Sequence, residues 1–235
     1  MITSPDNPAL REIRRLRAAP ARSRSGLFAA EGEDLLAAAE SNGWHPVRRL
    51  VAAGSGLPGE EVDPELLASV SSLGSGTRAI GVFHRSFSEL PSAGMRIHLH
   101  GLSDPGNVGT CVRSAHALGA VGVGIGPGTA DPFGPKAVRA SMGSIFALPV
   151  AEVEDPLALP GTKIALVAHG GDPELPDRLA DPVVVVGSER DGLPQSVAGG
   201  SDLRWTIPIA DGAESLNAAA ACAIALHAVN RISDR

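Results

Sequence analysis

From residue 96 onward the chain alternates short apolar runs with helical stretches, and this alternation leaves few folds open. "RIHLHGL" (96–102), "AVGVGI" (120–125), "KIALVAHG" (163–170), "PVVVVG" (182–187) and "WTIPI" (205–209) read as strands. "SDPGNVG" (103–109) opens a helix after the first strand. "PKAVRASMG" (135–143) and "SLNAAAACAIALHAVNR" (215–231) read as further helices. The run "PVVVV" has no polar alternation, as expected of a parallel strand covered on both faces. Strands alternating with helices predict an α/β domain with a parallel sheet. Ligands of such sheets bind outside the carboxyl ends of the strands, so the loops just after strands carry the information about function.

Three of those loops combine glycine with a few polar residues. They are "SDPGNVG", "GSERDGLP" (187–194) and "ADGAESLN" (210–217). Glycine lets backbone approach a ligand closely. The polar side chains are Asn107 and Arg113 in the first segment, Glu189 in the second, and Ser215 and Asn217 in the third. Each has a plainer reading. Asn107 and Ser215 fit as helix N-caps, Arg113 as part of a solvated helix face, and Glu189 as an exposed turn acid. What sets them apart is that all three loops fall at one edge of one sheet.

Other candidate motifs fail on context. "GVGIGPG" (122–128) has alternating glycines but no helix opening directly after it, which a dinucleotide fingerprint requires. An oxidoreductase reading therefore lacks its signature. No phosphate-loop lysine pattern occurs. His98 and His100 alternate along a strand with no third ligand spaced to them, so a polar strand face is expected and no metal. Cys111 and Cys222 each lie in an apolar helical pattern and read as reduced core thiols, consistent with a cytoplasmic protein. No run reaches the roughly 18 apolar residues of a membrane span, and "MITSPDNPALREIRR" lacks an apolar signal core, so neither membrane insertion nor export is expected.

The first part of the chain reads as a smaller mixed α/β unit. Asn7–Pro8 is a good helix start, and Leu10, Ile13 and Leu16 recur at helical spacing. "EDLLAAAESNG" and "PELLASVSSLG" read as helices, "VRRLVAA" and "RAIGVFHR" as strands. "RSFSELPSAG" (85–94) has linker character, which places a boundary between residues 91 and 92. The net charge of −6 argues against a nucleic-acid partner. Its distribution argues the other way: Arg11, Arg14, Arg15, Arg17, Arg22 and Arg24 face only Asp6 and Glu12 in the first 30 residues. A local basic patch matters more to a polyanion than the global sum does. A solvated helix face gives the same pattern.

At its three loops the sequence resembles the SPOUT methyltransferases, in the TrmH/SpoU branch of RNA ribose 2′-O-methyltransferases. The resemblance rests on "NVGTCVR", "DPFGPKAVRASMGSIFALPV", "GSERDGL" and "IPIADGAESLNAAAACAIAL", in that order, over residues 96 to 230. A weaker likeness to the family's substrate-binding domain lies in "SGLFAAEGEDLLAAA". The resemblance implies an RNA substrate-binding domain (1–91) and a catalytic domain (92–235) whose sheet is threaded into a deep trefoil knot. It implies S-adenosylmethionine as methyl donor, with Gly187, Ile207 and Leu216 contacting it. It implies a substrate-facing and catalytic set of Asn107, Arg113, Glu189, Ser215 and Asn217, completed by homodimerisation. Ribosomal or transfer RNA is the implied partner, held in part by Arg11, Arg14, Arg15, Arg22 and Arg24. A non-catalytic RNA-binding or assembly factor on the same fold is the alternative.

Overall fold

The computed structural model describes residues 1–73 and 76–233, the side chain of Ser233 excepted. In chain order the elements are α1 (Pro8–Leu16), α2 (Ala19–Ser25), β1 (Leu27–Glu31), α3 (Glu33–Ser41), β2 (Arg48–Ala52), β3 (Glu60–Val62), α4 (Pro64–Val70) and β4 (Ala79–His84). Then come β5 (Arg96–Leu99), α5 (Pro105–Ala117), β6 (Gly122–Ile125), α6 (Pro135–Ala140), α7 (Ser144–Ala147) and β7 (Val150–Glu152). A 3-10 turn (Pro156–Ala158), β8 (Lys163–Leu166), β9 (Val183–Val186), α8 (Gln195–Gly200), β10 (Leu203–Trp205) and α9 (Ala218–Ser233) complete the order.

The chain divides into two compact units, one of Met1–Ser86 with Asp131–Ala147, the other of Phe87–Ala130 with everything from Leu148 on. The sequence placed the break between residues 91 and 92 and kept residues 131–147 with the second unit. The reason for the difference is aromatic packing. Phe133 and Phe146 from the inserted segment lie 4.9 and 6.0 Å, centroid to centroid, from Phe28. Trp44 stands edge-on to Phe146 and donates its indole N–H to the Phe146 carbonyl at 2.9 Å. Burying rings this large outweighs chain proximity.

In the first unit the sheet order is β1-β4-β2-β3, with β4 antiparallel to both neighbours and β3 parallel to β2. Helix α1 begins as expected: Asn7 Oδ1 accepts from Ala9 N at 2.8 Å. Its apolar stripe of Leu10, Ile13 and Leu16 is buried and joins one core with Leu50, Leu67 and Ile80.

In the second unit six parallel strands run in the order β10-β8-β9-β5-β6-β7. The expected parallel α/β sheet is present. β9 sits between β8 and β5, and all four of its valines are at most 2 % exposed. Val183 and Val185 pack with Val197 of α8, and α9 packs on α5 and β9. At the amino edge Arg96 is fully buried and donates to the carbonyls of Gly94, Pro91, Pro160 and Asp181 at 2.9–3.1 Å, tying three loops together.

The glycines of "GVGIGPG" serve packing. A Cβ at Gly126 would lie 2.5 Å from the ring of His98, and one at Gly124 3.0 Å from it. His98 is fully buried, with Nε2 2.9 Å from the Val153 carbonyl, and burial drives its pKa down to about 4. "WTIPI" differs from expectation. The edge strand is Leu203–Trp205, and Thr206–Ile209 leaves the sheet. Pro208 has no N–H to continue a ladder, and Thr206 N bonds instead to the Asp172 carbonyl. Short strands β1, β3 and β7 and helices α2 and α8 were not legible as separate elements. No helix among the described residues is long and apolar enough to cross a membrane.

Candidate active site

The three loops meet at the carboxyl edge of the second sheet. β9 ends at Val186, and the chain turns back at once: Ser188 and Gly192 exchange backbone hydrogen bonds of 3.0 and 3.2 Å. Gly187 is required there, since a Cβ would lie 2.3 Å from the Gly192 carbonyl carbon. This hairpin presents Glu189, whose Oε1 accepts from Asn107 Nδ2 at 2.7 Å. Asn107 Oδ1 accepts in turn from Asn217 Nδ2 at 3.3 Å. Asn217 Oδ1 accepts from Ala219 N and Ala220 N at 3.0 and 3.2 Å, capping α9. One hydrogen-bonded chain, Glu189–Asn107–Asn217–α9, thus joins segments 82 and 110 residues apart.

This chain settles the cap question. α5 is capped by Asp104, whose Oδ1 accepts from Gly106 N and Asn107 N at 2.5 and 3.3 Å. Asn107 sits inside the first turn, and its carboxamide points across to the other loops. Ser215 is no cap either; it precedes α9, which Asn217 caps. The N–H groups of Ala219 and Ala220 are consequently committed to Asn217.

Beside this chain lies a cavity of about 340 Å³, within the usual size range of small-molecule sites. Gly187, Ile207 and Leu216 line it, as do Glu189 and Ser215. Its floor is aliphatic, from Leu166, Val186, Ile207 and Ile209. Its rim is polar, carrying His169, Arg190 and Glu214. None of these three rim residues was legible as a site residue in the sequence. Arg190 and Glu214 lay inside quoted motifs. His169 follows β8, where no glycine-polar loop drew notice, yet the parallel register of Leu166 with Val186 sets that loop beside the β9 hairpin.

Arg113 stands apart. It is exposed on α5, with no hydrogen bond or ion pair among the described residues, and it does not line the cavity. Six helical residues separate it from Asn107, about 9 Å along the axis and a third of a turn round. Within the chain the expected cluster of five is therefore a connected triad of Glu189, Asn107 and Asn217, with Ser215 on the cavity wall and Arg113 facing outward. Below the triad, Cys111 and Cys222 are buried free thiols. Donation of the Cys111 S–H to Cys222, then burial, pushes the Cys111 thiol well above its ordinary pKa.

In the first unit Arg11, Arg15 and Arg24 are exposed, while Arg14 is half-buried and donates to the Pro5 carbonyl at 2.9 Å. Arg22 does not join them. It is 4 % exposed, paired with Asp131 at 2.8 Å, and donates to the Leu16 and Arg17 carbonyls. It pins the inserted segment in place and presents no charge to solvent. No group of three or more His, Cys, Asp or Glu suited to a metal occurs among the described residues.

Fold and cavity together define a class: α/β domains that hold a small ligand at the carboxyl edge of a parallel sheet, with polar loops gathered over it. Residues 94–227 match the SpoU rRNA Methylase family, and the chain belongs to that family. It is 28 % identical to the 23S rRNA (guanosine(2553)-2′-O)-methyltransferase RlmP of Bacillus subtilis, over 96 % of this chain and 97 % of that protein. It is 39 % identical to a 23S rRNA (uridine(2479)-2′-O)-methyltransferase of Streptomyces viridochromogenes, over 57 % of this chain and 52 % of the relative. The crystal structure of an AdoMet-bound rRNA methyltransferase from Sinorhizobium meliloti superposes with a TM-score of 0.89 at 28 % identity, over 98 % and 97 % of the two chains.

Proposed function

We propose that the protein transfers a methyl group from S-adenosylmethionine to a ribose 2′-hydroxyl of structured RNA, ribosomal RNA in preference to transfer RNA, in the cytoplasm. The observation that carries this reading is the Glu189–Asn107–Asn217 chain closing three loops beside the cavity. The cavity fits the donor. Its aliphatic floor suits an adenosine, the return of the hairpin past Gly187 lets backbone groups come close, and its charged rim suits an amino-acid head. Gly187, Ile207 and Leu216 hold the donor in this reading. When bound, S-adenosylmethionine supplies a methyl group already activated by a positively charged sulfur.

What the chain's residues add is positioning and help with one proton. Glu189 and Asn217 fix both ends of the Asn107 carboxamide, which orients the acceptor ribose. Ser215, on the cavity wall, faces the substrate. Arg113 grips the neighbouring phosphate and stabilises the oxyanion as the 2′-hydroxyl gives up its proton. A guanidinium with a pKa above about 12 is a poor base, so the role assigned is electrostatic. Its outward position makes it a residue that one protomer lends to the other. The exposed stripe of Ala220, Ile224 and His227 on α9, with Ile224 43 % exposed, supports a homodimer contact through that helix.

The strand order supports the knotted threading. The chain leaves β10 at the sheet edge, lines the cavity with Ile207 and Ile209, and returns to α9, which packs on β9 and α5. The first unit serves as the RNA-binding domain, with Arg11, Arg15 and Arg24 contacting phosphates. The test is transfer of radiolabelled methyl from S-adenosylmethionine to RNA fragments, followed by primer-extension mapping of ribose methylation. Label at one 2′-O position of ribosomal RNA is expected. Cofactor binding without any transfer to ribosomal or transfer RNA would overturn the catalytic reading.

A further inference from the structure

We propose that Arg190 is the residue that anchors the donor's α-carboxylate, and so fixes which adenosine thioethers the pocket accepts. The proposal rests on the methyl-donor reading of the cavity. Its starting point is the separation of chemistry within that cavity. The floor is made by strand ends and aliphatic side chains, and has no charge. Arg190, Glu189, Glu214 and His169 line the same cavity and are exposed, which puts the polar groups at its rim. A ligand with an apolar ring system at one end and a zwitterion at the other has one favourable orientation in such a site. The ring system lies on the floor and the charges meet the rim.

The rim charges are not equivalent. The Glu189 carboxylate is committed to Asn107. Glu214 is exposed, with no partner among the described residues, and is of the right sign for an ammonium group. Arg190 is the sole Arg or Lys among the described residues lining the cavity, and it makes no ion pair or hydrogen bond there. The hairpin that carries it is held by the paired backbone bonds of Ser188 and Gly192 and by the bond from Asp191 N to Ser188 Oγ at 3.0 Å. A guanidinium on a fixed backbone, beside an apolar slot, is the natural partner of a planar carboxylate, which it can meet with two parallel hydrogen bonds. The register of β8 and β9 brings His169 to the same rim as a second donor to that carboxylate.

Truncated ligands test this directly. The probes are S-adenosylhomocysteine, its decarboxylated amine analogue and 5′-methylthioadenosine, titrated calorimetrically against the full-length protein and Arg190→Ala. Loss of a charge-assisted bond predicts about 10- to 100-fold weaker S-adenosylhomocysteine binding. Binding of the other two ligands stays within about twofold, and Arg190→Lys recovers part of the loss. Equal weakening of all three ligands would show that Arg190 only shapes the loop. Unchanged S-adenosylhomocysteine binding with a raised KM for RNA would show that it serves a phosphate. Either result overturns the proposal. Failure of the unmutated protein to bind any of the three would overturn the methyl-donor reading itself, a result distinct from both.

Discussion

Asn107 and Asp104 lie one helical turn apart, and exchanging each for alanine separates site from scaffold. Asp104→Ala removes the acceptor for two backbone N–H groups at the start of α5. A lost cap costs about 1 kcal/mol, which lowers Tm by about 2–4 °C for a chain of this size. Asn107→Ala removes two side-chain bonds, to Glu189 and from Asn217, at a half-buried position. Their net worth is about 1 kcal/mol, and alanine recovers about 0.5 kcal/mol through its better helix propensity. The net loss is about 0.5 kcal/mol, so Tm falls by no more than about 2 °C. Activity falls much further. Without the carboxamide nothing links Glu189 to Asn217, and kcat falls by at least about 30-fold, or about 2 kcal/mol of barrier. The assay is differential scanning calorimetry alongside single-turnover methyl transfer to ribosomal RNA fragments. If Asn107→Ala melts as early as Asp104→Ala, and its activity simply follows the folded fraction, the triad is scaffold and the argument fails.

Three further outcomes are expected. Arg113→Ala, at an exposed position without partners, leaves Tm and S-adenosylhomocysteine affinity unchanged while cutting kcat more than about tenfold; retention of more than a tenth of kcat rejects its role. His98, with a folded pKa near 4 against 6.5 unfolded, binds its proton more tightly when unfolded. Its contribution is complete above pH 6.5 and falls by about 3 kcal/mol as pH drops toward 4. Urea unfolding at several pH values should therefore show a steeper acid loss for the native chain than for His98→Gln, and parallel curves would refute this. Arg15→Glu lowers the salt dependence of RNA binding by about one phosphate contact. Arg22→Ala instead costs about 2–3 kcal/mol of stability by removing the buried ion pair, which leaves Asp131 with Arg85 at 3.6 Å and the Phe133 N–H, and leaves that slope unaltered in filter-binding assays.

The parallel sheet and the tight turn after β9 were readable because both are written locally. A strand buried on both faces needs an unbroken apolar run, as in "PVVVV". A loop that turns within five residues at a strand end needs glycines at fixed places, as Gly187 and Gly192 show. What escaped was set by distant partners. Phe133 and Phe146 look like part of the second unit until Phe28 and Trp44 are placed beside them. Arg22 is indistinguishable from Arg15 in sequence. Only Asp131, 109 residues later, makes one a buried tie and leaves the other in solvent. "WTIPI" has strand composition throughout, yet Pro208 and the Asp172 carbonyl draw it off the sheet.

The same contrast explains why the polar loops can be both exposed and ordered. Glu189 and Asn217 are exposed, and exposed hydrogen bonds contribute little to stability one at a time. Here, however, each loop is first fixed by its own local hydrogen bonds. Ser188 and Gly192 close the hairpin, Asp104 caps α5 and Asn217 caps α9. The side-chain bonds between loops then join segments already held, and little further chain entropy is lost in making them. Beneath them the sheet is packed so closely that a Cβ at Gly126 would clash with His98 and one at Gly124 would crowd it. A side chain at Gly126 would press on His98 and Leu99 of β5, the strand that leads into α5, and so disturb Asn107 without touching it. Gly126→Ala is accordingly expected to lower both Tm and methyl transfer, whereas Asn107→Ala lowers chiefly the second.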